Sequence, residues 1–183
     1  MRTVTYITGN ASKHANAKAF LEKYNVDVAQ QKLFLDEIQA EDAVAIAVRK
    51  ARDAYAELGT PLFVNDASWL IPALGGFPGP YMRYMVEWFT MDDLLTLMQT
   101  KADRTVILRD TIVYIDEQGE KVFTHDTPGK ILEAPAGEPR GPFVTQLFSL
   151  RADGKSIAED ETVGFSESEA ELWNEFGAWL TNK

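Results

Sequence analysis

The chain has 183 residues, of which 45% are hydrophobic, and this is enough to fill the core of one domain spanning residues 1–183. Its formal net charge of −10 argues against binding to a nucleic-acid polymer or to an anionic membrane surface. It has no cysteine, which excludes disulfides and thiol catalysis, and it has no apolar run long enough to cross a membrane. We therefore expect a cytoplasmic protein.

Strands and helices alternate in the first part of the chain. The apolar spacing predicts strands at Val4–Ile7, Val26–Ala29 and Pro61–Val64, and helices at Ser12–Tyr24 and Asp42–Leu58. Asp42 is a suitable N-cap for the second helix, and Gly59 is a suitable residue to end it.

The second part of the chain is richer in strands. The pattern predicts helices at Tyr81–Phe89 and Met91–Gln99, then strands at Thr105–Ile115, Lys121–His125, Gly129–Leu132 and Phe143–Leu150. A capping box at 166–169 is expected to open a last helix, whose buried stripe is Leu172, Trp173, Phe176 and Leu180. Together these elements predict a mixed α/β fold with a long, partly antiparallel sheet.

Asp66 is the first residue to which we assign a function. It follows the apolar run Leu62–Val64, where a carboxylate is costly unless a cation or a hydrogen-bond donor holds it. The Gly- and Pro-rich stretch Gly75–Tyr81 that follows has the composition of a loop of fixed shape, which suits a site better than a linker.

A turn with the sequence TGNASK, residues 8–13, joins the first strand to the first helix. Backbone N–H groups in such a turn can point at an anion, and Lys13 would add a charged donor to a phosphate oxygen. An ordinary turn with an exposed lysine is the simpler interpretation of this segment on its own. Lys50 on the second helix could likewise reach a phosphate, or it could simply be exposed to solvent.

Acidic residues before the second helix could join Asp66 in holding Mg²⁺, which prefers oxygen ligands and substrate phosphates. They are Asp36, Glu37, Glu41 and Asp42. A solvated acidic face at a helix start remains the alternative for Asp36 and Asp42.

The segments TGNASK, DEIQAE and VNDASWLIPALGGFPGPYMRY, at residues 8–13, 36–41 and 64–84, occur in an order and spacing that resemble the inosine triphosphate pyrophosphatase family, also called Ham1-like. The resemblance implies two lobes around a central cleft and a homodimer. It also implies Mg²⁺-dependent hydrolysis of a nucleoside triphosphate, typically a deaminated purine such as ITP, dITP or XTP, to monophosphate and pyrophosphate. Mn²⁺ could replace Mg²⁺.

Residue roles follow from the same resemblance, position by position. It implies a phosphate loop formed by Thr8, Gly9, Asn10 and Lys13, and further substrate contacts from Lys50, Asp66, Ala67 and Arg83. It implies cation binding by Glu37 and Asp66, with Asp66 also catalytic because it helps to activate water.

The sequence departs from the family pattern at several positions. Asn65 stands where the family has the first acid of a pair, and Asn16 stands where it has a glutamate. The stretch 141–146 lacks the aromatic–Asp pair that recognises the base, and 164–169 lacks the family's Ser-His-Arg motif. Three alternatives therefore stay open: a pyrophosphatase with altered base preference, a catalytically impaired protein that binds a nucleotide or a partner, and a structural acidic domain.

Overall fold

The computed structural model describes residues 2–36, 38–160 and 167–183, with side chains from residue 170 onward in the last stretch. The helices are α1 (Ala11–Glu22), α2 (Ala43–Leu58), α3 (Met82–Trp88), α4 (Met91–Met98) and α5 (Glu167–Asn182). The strands are β1 (Arg2–Ile7), β2 (Val26–Gln31), β3 (Leu62–Leu70), β4 (Pro78–Gly79), β5 (Thr105–Asp116), β6 (Gly119–Ile131) and β7 (Phe148–Ser149). Within these ranges no helix is both long and apolar enough to cross a membrane.

The strands form one mixed sheet in the order β2-β1-β3-β5-β6-β7, with β4 paired to β3. β1 runs parallel to β2 and to β3, and Tyr6 lies opposite Phe63 in the second of these pairs. β4 runs antiparallel to β3, and β7 runs antiparallel to β6. The mixed α/β fold expected from the sequence is therefore confirmed.

The chain divides into two compact units, as the expectation of two lobes requires. The first unit comprises Met1–Ala67, Asp110–His125 and Gly164–Lys183, and the second comprises Ser68–Arg109 and Asp126–Val163. The expectation of a single domain over residues 1–183 stays a prediction.

In the first unit, both faces of the sheet are covered by helices. One face packs on α1 and α5, and its buried residues are Val4, Tyr6, Ala17, Leu21, Val26, Val28, Phe63, Ile112, Tyr114, Phe123, Leu172, Trp173, Phe176 and Leu180. The predicted buried stripe of α5 is confirmed by this cluster. The opposite face packs on α2 and contains Ile7, Leu62, Val64, Val113 and Ile115.

Helix α2 lies against the sheet through small side chains. Ala47, Ala51 and Ala54 are all fully buried, and because their methyl groups are short, the helix backbone can approach the strands closely. The predicted ends of this helix are confirmed. The Asp42 side chain accepts a hydrogen bond from the N–H of Val44, and Gly59 ends the helix with a left-handed φ of 63°.

In the second unit, α3 and α4 cover a separate core. It is formed by Ile71, Met85, Leu94, Met98, Val106, Ile131, Val144, Leu147 and Phe148. The predicted break between these helices is confirmed, because the Thr90 side chain caps α4 in a capping box with Asp93.

The boundaries of β3 differ from the prediction. The strand was expected to end at Val64, yet it continues to Leu70, so that Asn65 and Asp66 lie inside it. Its last residues, Trp69 and Leu70, pair with β4, and this pairing outweighs the low strand propensity of Asn and Asp.

The predicted strand at Phe143–Leu150 is wrong over most of its length. Residues Phe143–Gln146 form a 3-10 turn, and only Phe148–Ser149 form a strand. The Thr145 hydroxyl donates to the carbonyl oxygens of Arg140 and Pro142 at 2.8 and 2.9 Å, which favours a turn over a ladder. The two strands predicted at Lys121–His125 and Gly129–Leu132 are one continuous strand, β6. The capping box predicted at 166–169 lies outside the described residues.

Candidate active site

The turn between β1 and α1 is organised by side chains of its own residues. The Asn10 side chain accepts hydrogen bonds from the N–H groups of Ser12 and Lys13 at 2.9 and 3.1 Å, so Asn10 is the N-cap of α1. The N–H of Asn10 in turn donates to the Thr8 hydroxyl at 3.1 Å. The chain therefore makes a sharp turn with the amino end of α1 at its exit, which is the end that favours anions.

Lys13 connects this turn to β3. Its ammonium nitrogen donates to the carbonyl oxygen of Asn65 at 3.4 Å, while the Asn65 side chain donates to the carbonyl oxygen of Thr111 at 3.3 Å. The cation predicted for the phosphate loop therefore lies beside the strand that carries Asp66.

The Asp66 carboxylate faces α2 and forms an ion pair with Lys50. The Lys50 ammonium lies 3.2 and 3.3 Å from the two carboxylate oxygens. The Lys50 side chain is 23% exposed and the Asp66 side chain is 34% exposed, so both remain open to solvent and to a ligand. Exposed ion pairs are individually weak, at about 0–1 kcal/mol, and this pair can rearrange when an anion or a cation enters.

These elements enclose a cavity of about 350 Å³ within the first unit. It is lined by Ile7, Thr8, Gly9, Asn10, Lys13, Leu33, Leu35, Lys50, Asn65 and Asp66. The structure thus brings together six of the residues singled out in the sequence: Thr8, Gly9, Asn10, Lys13, Lys50 and Asp66. Sequence reasoning missed the apolar wall of Leu33 and Leu35, because the segment around them has no clear period.

Other predicted site residues do not line this cavity. Ala67 follows Asp66 but is exposed outside it, and Arg83 is exposed on α3 in the second unit. Glu37, predicted to bind a cation, lies outside the described residues. Within the described part of the chain, no group of three or more His, Asp or Glu side chains is arranged to hold a metal ion.

Tyr6 lies next to the cavity wall, one residue before Ile7. It is fully buried, and its ring stacks on Phe63 with centroids 4.5 Å apart. Burial raises the pKa of its hydroxyl well above the usual range, and the charges of Asp66 and Asp110 raise it further, whereas the Thr8 side chain lowers it. The Tyr6 hydroxyl is therefore a weaker acid than that of an ordinary tyrosine.

The comparison with known protein families agrees with this arrangement. The model of the Ham1 family matches residues 4–162, and the chain therefore belongs to the Ham1 family.

Curated relatives carry related names. The chain is 34% identical over 157 residues to a dITP/XTP pyrophosphatase of Methanopyrus kandleri, and the match covers 85% of this chain and 83% of that protein. It is 32% identical over 146 residues to an inosine triphosphate pyrophosphatase of Candida glabrata, covering 76% and 73% of the two chains.

A solved structure, that of a HAM1 protein from Coxiella burnetii, superposes with a TM-score of 0.85 over 100% of both chains. At 20% identity, this likeness concerns the fold alone.

Proposed function

We propose that this protein hydrolyses nucleoside triphosphates, of the deaminated purine class represented by dITP, XTP and ITP, to the monophosphate and pyrophosphate. The observation that carries the proposal is the cavity that joins the 8–13 turn, two lysines and the Asp66 carboxylate. Family membership and the names of the relatives support the reaction and the substrate class.

The triphosphate would bind where positive charge and backbone donors meet. The amino end of α1 favours an anion, and Lys13 and Lys50 add charged donors on either side of β3. Fixed donors of this kind stabilise the charge that develops on the phosphate oxygens during transfer. The 8–13 turn would therefore bind the phosphates.

The proposed reaction uses a Mg²⁺ ion, or Mn²⁺ in its place, bound at the Asp66 side of the cavity. Mg²⁺ is usually held by one or two carboxylates together with waters and substrate phosphates, and Asp66 provides such a carboxylate, 34% exposed at the cavity wall. Glu37 is the proposed second ligand. When bound, the ion would neutralise phosphate charge and lower the pKa of a water molecule.

The products require cleavage of the anhydride bond between the α- and β-phosphates. A water oxygen adds to the α-phosphorus, and pyrophosphate departs with the oxygen that bridged the α- and β-phosphates. The proton lost by the water needs an acceptor. Asp66 is the carboxylate at the cavity wall that can orient this water and accept its proton. Lys50 would release Asp66 for this role as it moves its hydrogen bonds to a phosphate.

Pyrophosphate release from a panel of deaminated and ordinary triphosphates, with Mg²⁺ and separately with Mn²⁺, tests the proposal. We expect release by the wild type and a loss of about 10²-fold or more in kcat for Asp66→Asn. Asp27→Asn is the matched control. Asp27 lies on β2, forms an exposed ion pair with Lys18 of α1, and does not line the cavity. Absence of release from every triphosphate at high enzyme concentration would refute the proposal.

Binding without turnover is the second candidate, and Asn65 favours it because an amide cannot accept a proton as a carboxylate does. It predicts that triphosphates raise the melting temperature while no pyrophosphate forms. Turnover by the wild type that is lost in Asp66→Asn would exclude it.

We further propose that the protein acts as a homodimer in the cytoplasm. Light scattering coupled to size exclusion measures the assembly, and fractionation of the source cells measures the location. A monomer at micromolar concentration, or recovery outside the cytoplasmic fraction, would contradict these proposals.

A further inference from the structure

Lys32 lies at the edge of the sheet from which the 8–13 turn leaves. Strands β1 and β2 run parallel with Ile7 opposite Gln31, and the N–H of Thr8 donates to the carbonyl oxygen of Gln31 at 3.0 Å. Lys32 is the first residue after β2, so it follows that strand at its carboxyl end, where open α/β sheets bind their ligands. The turn and Lys32 are therefore neighbours, although they are far apart in the sequence.

The side chain of Lys32 packs on the backbone of this turn. A Cβ atom placed on Gly9 would lie 3.3 and 3.4 Å from Cδ and Cε of Lys32, so the lysine stem occupies space that glycine leaves open. Gly9 lines the cavity, whereas Lys32 does not. Lys32 therefore lies at the rim of the cavity, over a residue of its wall.

The ammonium group of Lys32 is held only weakly. It lies 4.9 Å from the ring centroid of Phe34, a side chain that is 91% exposed. A cation–π contact at such an exposed site is weak, and among the described residues no carboxylate forms an ion pair with Lys32. The positive charge is therefore available to an anion that enters beside Gly9.

We propose that Lys32 is a further phosphate-binding residue. Its ammonium leaves the Phe34 ring and donates to an oxygen of the triphosphate that lies on the 8–13 turn. The lysine stem is flexible and carries three donors at its end, so the ammonium can change direction without a change in the backbone. This inference rests on the proposed function, to which it adds a third cation.

The charges around the cavity give a third cation a role. Lys13 donates to the carbonyl oxygen of Asn65, and Lys50 is paired with the Asp66 carboxylate, so both lysines of the lining already contact groups of β3. The whole chain carries a formal net charge of −10, which repels a polyanion. Binding of a triphosphate therefore depends on local positive charge, and Lys32 adds to it.

The sheet order places Lys32 on a side of the site that the other two lysines do not cover. β1 lies between β2 and β3, and the 8–13 turn leaves the end of β1. The ammonium groups of Lys13 and Lys50 meet groups of β3, whereas Lys32 follows β2. A phosphate chain on the turn would therefore have a cation on either side, which limits where its oxygens can lie.

Isothermal titration calorimetry with inorganic tripolyphosphate, without metal and without a base, tests this role. Lys32→Met keeps an apolar stem over Gly9 and removes the charge, and we expect it to raise the dissociation constant about fivefold. Lys32→Arg should stay within about twofold of the wild type because it keeps the charge and the donors, and Lys32→Glu should bind more weakly than Lys32→Met. The loss in Lys32→Met should shrink with added salt, since the screening length falls from about 10 Å at 0.1 M to about 3 Å at 1 M.

Lys121→Met is the matched control. Lys121 is also exposed and lies 5.7 Å from the ring centroid of a phenylalanine, Phe123, but it belongs to β6 and does not line the cavity. This control should bind tripolyphosphate as the wild type does, and near-ultraviolet circular dichroism checks that each variant is folded. A purely structural role of Lys32 would leave the affinity of Lys32→Met unchanged, because methionine preserves the packing on Gly9.

Unchanged affinity in Lys32→Met, or an equal loss in Lys32→Arg or in Lys121→Met, would overturn the inference. Absence of tripolyphosphate binding by the wild type at millimolar concentration would overturn it as well. The titration is separate from catalysis. A wild type that binds tripolyphosphate but releases no pyrophosphate from any triphosphate refutes the proposed function, while the Lys32 variants still decide on this residue.

Discussion

The substitution Lys183→Met tests a buried ion pair at the end of α5. The Asp116 carboxylate, 7% exposed, accepts hydrogen bonds from the Lys183 ammonium at 2.5 Å, the Gln118 N–H at 2.9 Å and the Tyr114 hydroxyl at 3.0 Å. Burial would raise the pKa of Asp116, but these hydrogen bonds outweigh it and hold the pKa below its ordinary value. Lys183 also lies 4.9 Å from the ring centroid of Trp179.

The expected change in the free energy of unfolding follows from opposing contributions. A hydrogen bond to a charged group stabilises by about 1.5–3 kcal/mol, and each cation–π contact adds about 0.5–1 kcal/mol. Immobilising the lysine side chain costs up to about 2 kcal/mol. Methionine keeps the apolar stem, and Gln118 and Tyr114 still solvate the carboxylate. We therefore expect Lys183→Met to lower the free energy of unfolding by about 1–2 kcal/mol, which corresponds to about 2–8 °C in melting temperature.

Thermal unfolding followed by circular dichroism from pH 3 to pH 8 is the assay. Because the folded pKa of Asp116 is depressed, its contribution is complete above the unfolded pKa, about 3.9, and is lost as pH falls through the folded value. The difference between wild type and Lys183→Met should therefore be constant near neutral pH and shrink in acid. Lys121→Met is the control, because Lys121 is exposed and packs over Phe123.

Equal melting temperatures at pH 7 would refute the reasoning, since the ion pair would then contribute nothing. A difference that persists unchanged to pH 3 would refute it as well, because the effect could not then come from the ionised carboxylate. A loss of similar size in Lys121→Met would point to general packing by lysine stems.

Three other substitutions probe the first unit by thermal unfolding. Tyr6→Phe should raise the melting temperature of the unliganded protein, because the fully buried Tyr6 hydroxyl meets no partner among the described residues at full hydrogen-bonding geometry; a lower value would mean that its looser contact with the Thr8 side chain is stabilising. Gly177→Ala should destabilise by about 1–3 kcal/mol through a clash with the Tyr24 ring, which exceeds the gain of about 1 kcal/mol in helix propensity; increased stability would mean that the ring moves freely. Phe176→Ala should cost about 3–5 kcal/mol, since Phe176 is fully buried among aromatic rings; a loss below about 1 kcal/mol would count against this packing.

Local signals in the sequence predicted the helices best. Asp42 and Gly59 act on backbone groups within a few residues, so their capping roles follow from the sequence alone. A break near Thr90 was also predicted, whereas its capping box with Asp93 was not. The continuation of β3 through Asn65 and Asp66 depends on pairing with β4, which local propensity does not contain. The strand predicted at Phe143–Leu150 was wrong for a related reason, because the Thr145 hydroxyl donates hydrogen bonds to nearby backbone carbonyl oxygens.

The candidate site was predicted only in part for the same physical reason. TGNASK has the composition of an anion-binding turn, but its approach to Asp66 depends on the register of β1 against β3, and the family resemblance supplied that expectation. Tyr6, beside the cavity wall, was not singled out, since it lies in a largely apolar and β-branched strand.

The alanines of α2 have a consequence for how the site could be altered. Since Ala47 and Ala51 determine how near the helix backbone comes to the sheet, they also determine how far the Lys50 ammonium reaches toward Asp66. Larger side chains there would retract that cation without changing any residue of the cavity. Selection or protein engineering could therefore adjust turnover in graded steps from inside the hydrophobic core, at positions that a search restricted to ligand contacts would overlook.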